Sequence, residues 1–212
     1  MGNEPYLAHS KNKYGNVDLL FHHLKAVSER ASEYAKIFGA EYEASLAGLL
    51  HDLGKYGDLF QRRLKGLEKG LDHWSEGAWS ALLCGQSIAA AMSIQGHHIG
   101  LQALSKDNLR SLEPNRLKKS HPLGLRLTDA AGESLLERFE NDGLNLPTIK
   151  SSPLIPHRFP DQHAALMLDV RMLFSALVDA DFIETEIHFN PDRSPSSGKA
   201  LLATEALDAL VE

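Results

Sequence analysis

Cysteine is almost absent from this 212-residue chain. Cys84 stands alone, so no internal disulfide can form and no cysteine-based zinc site is available. A reducing, cytoplasmic setting is the expectation drawn from this. Long apolar runs are absent too, since nothing approaches the ~18 residues that a spanning helix needs, and no membrane insertion is expected. The opening Met1-Gly2-Asn3-Glu4-Pro5-Tyr6 is polar and lacks the apolar stretch of a secretory signal. Tyr6 stands where a myristoylation signal wants Ser or Thr. Alternating strand patterns and internal repeats are missing, and so is the Gly-x-x-x-x-Gly-Lys-Ser/Thr loop of a nucleotide-driven motor. Positive charge is in deficit: 22 Lys and Arg face 28 Asp and Glu, for a net charge of −6. That argues against a broad nucleic-acid-binding face, although bound divalent cations would change the local field. Two basic clusters stand out, Arg62, Arg63 and Lys65, then Arg110, Arg116, Lys118, Lys119 and Arg126. Solvated helix faces and loops account for both.

What is present is helical periodicity. The length suits one domain, or one domain with an appendage, and suffices to bury a core. Leu20, Leu24, Val27, Ala31, Tyr34, Ala35 and Phe38 recur at three- and four-residue steps, with Gly39 as the stop. A second helix runs from about Glu41 to His51, and Asp58 can cap a short third one through Leu64. Helices are also expected over Trp74 to Cys84 and over Ser87 to His97, the latter buried for its Ala, Ile and Met content. Residues 101 to 127 are mixed and basic, and Thr128 or Asp129 can cap a helix to about Glu140. Four prolines mark 141 to 160 as a loop. Asp161 to about Ile187 reads as the longest helix. Residues 190–212 read as a Ser/Pro-rich linker with a short amphipathic tail, Ala200 to Val211. The expected fold class is all-α.

Histidine is abundant. The chain carries 11 His and 13 Asp, so the one dipeptide His51-Asp52 is close to chance by itself. Its company gives it weight: His23, His51-Asp52, His73, His97-His98, then Asp179 and Asp181, spaced at roughly one helical hairpin. Imidazoles and carboxylates in that mixture suit borderline divalent metals. The pattern reads as a metal-dependent phosphoesterase with a two-metal site between helices. Two cations ~3.5–4 Å apart clamp a phosphate and activate a water. Asp52, directly after a histidine at a helix end, is the natural bridging carboxylate.

The segment His51-Asp52-Leu53-Gly54-Lys55, with Phe60-Gln61 and Leu64 beyond it, resembles the HD motif of the CRISPR-associated helicase-nuclease of type I systems. Tyr6-Leu7-Ala8-His9-Ser10 is similar to that family's Ala-His-Ser element, and Leu20-Phe21-His22-His23-Leu24 to its Leu-x-x-His-Leu helix. His73-Trp74-Ser75-Glu76-Gly77-Ala78 resembles its His-x-x-x-Gly-Ala element, and Gly96-His97-His98-Ile99-Gly100-Leu101 its Gly-His-His-x-Gly-Leu element. Leu177-Val178-Asp179-Ala180-Asp181 resembles the closing Ala-Asp element of HD proteins. The likeness runs from about Tyr6 to Glu186.

The resemblance implies an HD-domain helical bundle over residues 1–189 and a nuclease that nicks single-stranded DNA in CRISPR interference. It implies two divalent transition-metal ions, manganese, iron, cobalt or nickel. One would be held by His23, His51, Asp52 and Asp181, the other by Asp52, His73, His97 and His98, with Lys55 near the scissile phosphate. Asp179 is the second choice for the last ligand. The implied partners are a superfamily 2 helicase, in the same or a separate chain, and the surveillance complex. Two other functions remain open: a one-metal HD phosphohydrolase of nucleotides needing only His23, His51, Asp52 and Asp181, and a non-catalytic docking module. His9 is expected to pack or hydrogen-bond, His22 to neighbour the site, and Trp74 and Trp79 to lie in the core. His121, His157, His163 and His188 are expected at the surface.

Overall fold

A computed structural model describes residues 4–103, 110–128, 132–148 and 162–192. The expectations for Asp129, His157, the linker from 193 and the tail lie outside the described residues, as does the side chain of His163. The rest is mostly helical, in keeping with an all-α fold. In chain order the elements are β1 (Leu7–His9), β2 (Asp18–Leu19), α1 (Leu20–Ala35), α2 (Glu41–Leu50), α3 (Asp58–Leu64), β3 (Leu71–Asp72), α4 (Ser75–Leu83), α5 (Ile88–Ile99), α6 (Pro114–Lys119), β4 (Arg126–Leu127), α7 (Gly132–Asn141) and α8 (Gln162–Phe189). Among the described residues, no helix is long and apolar enough to cross a membrane.

The strands are the departure from the sequence reading. β1 pairs antiparallel with β2, and β3 pairs parallel with β4. At two or three residues each they are too short to show alternation, so pairing rather than pattern makes them. The helix limits obey local chemistry. α1 gives way to a 3-10 turn, Lys36–Phe38, and ends on Gly39 at φ 73°, a left-handed conformation that glycine adopts without penalty. Ser87 caps α5 by accepting the Ala90 N–H at 3.1 Å. Asp58 opens α3 rather than capping it, because Gly57 holds the cap position.

α1, α2, α5 and α8 form the core, with α4 packed on α2 and α5. The buried stripe of α1 is Leu20, His23, Leu24, Val27, Ser28, Ala31 and Ala35. Small residues on α2, Ala44, Ala47 and Gly48, let it lie against α1. α8 inserts Val170, Leu173, Ala176, Leu177 and Ala180. Tyr34, part of the apolar period of α1, is instead 38% exposed. Trp74 is buried and Trp79 is half-buried against the core.

The seating of α4 depends on one close approach. Gly77, in the first turn of α4, sits on the Leu50 carbonyl oxygen, and a Cβ there would overlap it. Backbone cannot give way as a flexible side chain can, so Gly77→Ala must push α4 off the end of α2. We expect a loss of roughly 1–3 kcal/mol in the denaturant-unfolding free energy, the usual cost of forced overpacking. An unchanged midpoint would show that α4 yields freely.

Candidate metal centre

Five elements deliver the side chains. His23 comes from the buried stripe of α1 and Asp181 from α8. His51 caps the C-terminus of α2, and Asp52 comes next as the cap of a 3-10 turn, Leu53–Tyr56. His73 lies between β3 and α4, while His97 and His98 occupy the last turn of α5. Two helix C-termini therefore converge on one place, where the partial negative charge of carbonyls favours a cation.

Asp52 lies at the centre and is 2% exposed. Its Oδ2 is 3.1 Å from His51 Nε2, 3.6 Å from His23 Nε2 and 2.6 Å from Lys55 Nζ. Its Oδ1 faces the other way, 3.4 Å from His73 Nε2 and 3.9 Å from His97 Nε2. Asp181 Oδ1 closes the first group, 3.3 Å from His23 Nε2 and 3.5 Å from His51 Nε2. The donor atoms of His23, His51, Asp52 and Asp181 all lie within 4.8 Å of one another, as do those of Asp52, His97 and His98. His73 stands beside that second group, its Nε2 also 2.9 Å from His98 Nε2.

The ring orientations are built in. His51 Nδ1 donates to the Gly48 carbonyl at 2.8 Å, and His97 Nδ1 donates to the Ile94 carbonyl, each three residues back along its own helix. Both bonds hold the ring in place and leave Nε2 aimed inward, the arrangement common around metal-ligating histidines. Among the described residues, His23 Nε2, His51 Nε2, His97 Nε2 and Asp52 Oδ1 are all buried without a hydrogen-bond partner. Each such atom carries a desolvation cost that a partner must offset. A divalent cation offsets several at once, and the N and O donor set suits one. The residues fit a metal.

Most of the expected residues meet at this point. His23, His51, Asp52, His97, His98 and Asp181 come together, with His73 and Lys55 touching Asp52. Asp179 is exposed on the outer side of α8 and does not join them. His22 is exposed, with its ring against Phe21. His9 hydrogen-bonds Asp18 at 2.9 Å and packs edge-on to His23, with ring centroids 4.9 Å apart. Asp18 is a member of this surround that sequence reasoning misses. Its Oδ2 lies 3.8 Å from His23 Nδ1, and only its place just before α1 hints at this. His188, expected at the surface, is half-buried and stacks on His9. His121 corrects the same expectation, since its side chain is only 5% exposed and meets Asp72 at 2.8 Å. Several cations of the basic clusters form exposed ion pairs: Arg62 and Arg126 with Glu68, Lys65 with Glu4, and Arg116 with Glu113.

Compared with known proteins, the chain matches no protein-family model and no curated protein. Function is therefore read from the geometry and charge of the site.

The electrostatics divide by group. Burial alone would lower His51, but the charges of Asp52 and Asp181 outweigh it and raise its pKa to about 10. Burial also opposes ionising Asp52 and Asp181, and their imidazole neighbours overcome it, holding both well below the usual carboxylate range. On the other side burial dominates. It pushes His97 down to about 3, helped by His98 and His51, and lowers His73 and His98 as well.

These shifts set a pH dependence for the metal-free protein. Between about 3 and the ordinary 6.5, the unfolded chain takes up a proton at His97 that the folded chain refuses. Stability therefore falls as pH drops through that window. Between 6.5 and about 10, folded His51 keeps a proton that the unfolded chain releases, so stability falls as pH rises. In chelator, the melting temperature is expected to peak near the shared ordinary value of 6.5. His97→Gln should make the acid limb shallower, with His73 and His98 keeping part of it, and leave the alkaline limb in place. A monotonic profile would contradict this division.

Proposed function

We propose that this chain is a metal-dependent nuclease that hydrolyses phosphodiester bonds of single-stranded DNA, in the manner of the type I CRISPR HD domain it resembles. The observation that carries the reading is the division of Asp52, with one oxygen toward His23 and His51 and the other toward His73 and His97. A carboxylate held between two imidazole groups is what a bridging ligand requires. Two divalent transition-metal ions bound there would supply a nucleophile at neutral pH and charge stabilisation for the phosphate.

The chain's own residues do the rest. Lys55, itself buried, donates to Asp52 Oδ2 and helps keep that carboxylate ionised. An ammonium has three donors, and those left over are available to a phosphate oxygen. Asp181 and His98 are the open members of the cluster: the Asp181 side chain is 26% exposed and His98 is exposed, so substrate approaches between the end of α5 and α8. His23, His51 and His73 lie behind them, shielded from water. The extra imidazoles exceed what a one-metal site needs, which favours a two-metal centre over the one-metal phosphohydrolase. A helicase subunit and the CRISPR surveillance complex are the partners this reading implies.

Metal-stripped protein incubated with circular single-stranded DNA and manganese, cobalt, nickel or magnesium tests the proposal. Wild type is expected to nick the circle, best with the transition metals. Asp52→Asn should lose at least about 100-fold, the scale on which a directly interacting group at a reacting centre is missed. Asp181→Asn should be similarly impaired and Asp179→Asn nearly normal. Phosphate release from nucleotides with the circle left intact would replace the nuclease with the one-metal phosphohydrolase.

A further inference from the structure

We infer that His121 is a positioning residue for the second metal group, acting through Asp72 on His73. The inference rests on the reading of the cluster as a metal centre.

Asp72 is 1% exposed and immediately precedes His73. Its Oδ1 accepts the N–H groups of Trp74 at 3.0 Å and Ser75 at 2.9 Å, which fixes the start of α4 just beyond His73. Its Oδ2 meets His121 Nε2 at 2.8 Å. His121 Nδ1 accepts the Leu123 N–H at 3.1 Å, so the ring proton must sit on Nε2, facing the carboxylate. Both Asp72 oxygens are thereby engaged, and the ring of His121 can hold only one orientation.

The segment that carries His121 grips the other side of the site as well. β4 pairs with β3, with Leu71 opposite Arg126 and Asp72 opposite Leu127. Thr128 Oγ1 then donates to the Gly54 carbonyl. Gly54 in turn donates its N–H to the His73 carbonyl at 3.0 Å, and a Cβ on Gly54 would come within 2.6 Å of His73 Cα. Residues 121 to 128 thus form a strap. One end holds the turn after Asp52 and the other holds the residue before His73. Among the described residues, His23, His51 and Asp181, the ligands that belong to the first group alone, have no contact of this kind with the strap. Loss of His121 should therefore loosen one metal site and spare the other.

Calorimetric titration of the metal-free full chain with manganese tests this. Wild type should take up two ions. His121→Ala should weaken one of them by about 10-fold, the low end of what loss of an outer-shell partner costs because His121 acts through Asp72, and leave the other unchanged. His121→Gln, whose amide nitrogen reaches the place of Nε2, should restore it. Should the alanine variant not fold, His121→Asn, with an amide too short to reach Asp72, is expected to show the same selective weakening. Two unchanged affinities in the alanine or asparagine variant would overturn the inference. So would equal weakening of both ions, which would mark a general structural role. A wild type that binds no manganese would instead remove the metal reading itself, and the inference with it.

Discussion

A buried carboxylate needs compensation wherever the chain puts it, and Asp52 receives it from several sides at once. Removing an ion from water costs several kcal/mol even after relaxation. Lys55 at 2.6 Å meets part of that cost and the surrounding imidazoles meet another part. What remains, among the described residues, is a set of buried histidine nitrogens and one carboxylate oxygen that make no hydrogen bond. The architecture makes sense around that deficit. α1, α2, α5 and α8 pack so that each offers one or two donors to the same small volume.

Helix ends make the convergence possible. Neighbouring residues on a regular helix point about 100° apart, so a pair such as His51 and Asp52 converges more readily where the helix ends. The end of α2 at Leu50 frees them: His51 keeps helical geometry and Asp52, at φ −116° and ψ 24°, leaves it. On α5 the pair His97 and His98 lies in the last turn, just before Gly100 at φ 81°. The glycines of the motifs serve packing in the same region. Gly77 brings α4 onto Leu50, one residue from His51, and Gly54 brings the backbone of His73 against the turn after Asp52.

The histidines differ in how they are held, and that difference has chemical consequences. His51 and His97 are tethered through Nδ1 to their own helices, so their inward nitrogens are fixed before any ligand arrives. Among the described residues His23 has no hydrogen bond at either ring nitrogen, with Asp18 3.8 Å from Nδ1. His73 depends on the residues that flank it. Preorganisation in the site is therefore uneven, strongest where a histidine sits at a helix C-terminus with a carbonyl three residues behind it.

Much of this is legible in the chain. Three- and four-residue periodicity sets the helices, with Gly39 and Ser87 at the limits expected of them. Residue chemistry and order pick out His23, His51, Asp52, His73, His97, His98 and Asp181, because metal ligands must be of a few types and helical hairpins return at regular intervals. Other features have no local signal. The strands of two or three residues exist only as pairs, and the burial of His121 comes from a carboxylate 49 positions away. The choice between Asp179 and Asp181 turns on the rotation of α8 about its axis, which the core side chains Leu173, Ala176, Leu177 and Ala180 determine. Sequence by itself determined which residue types are present and which helical face each occupies, since both depend on covalent order and helical pitch. Only the tertiary structure decided which oxygen of Asp52 meets which imidazole, because that depends on how rigid helices pack, and packing is a property of the whole chain.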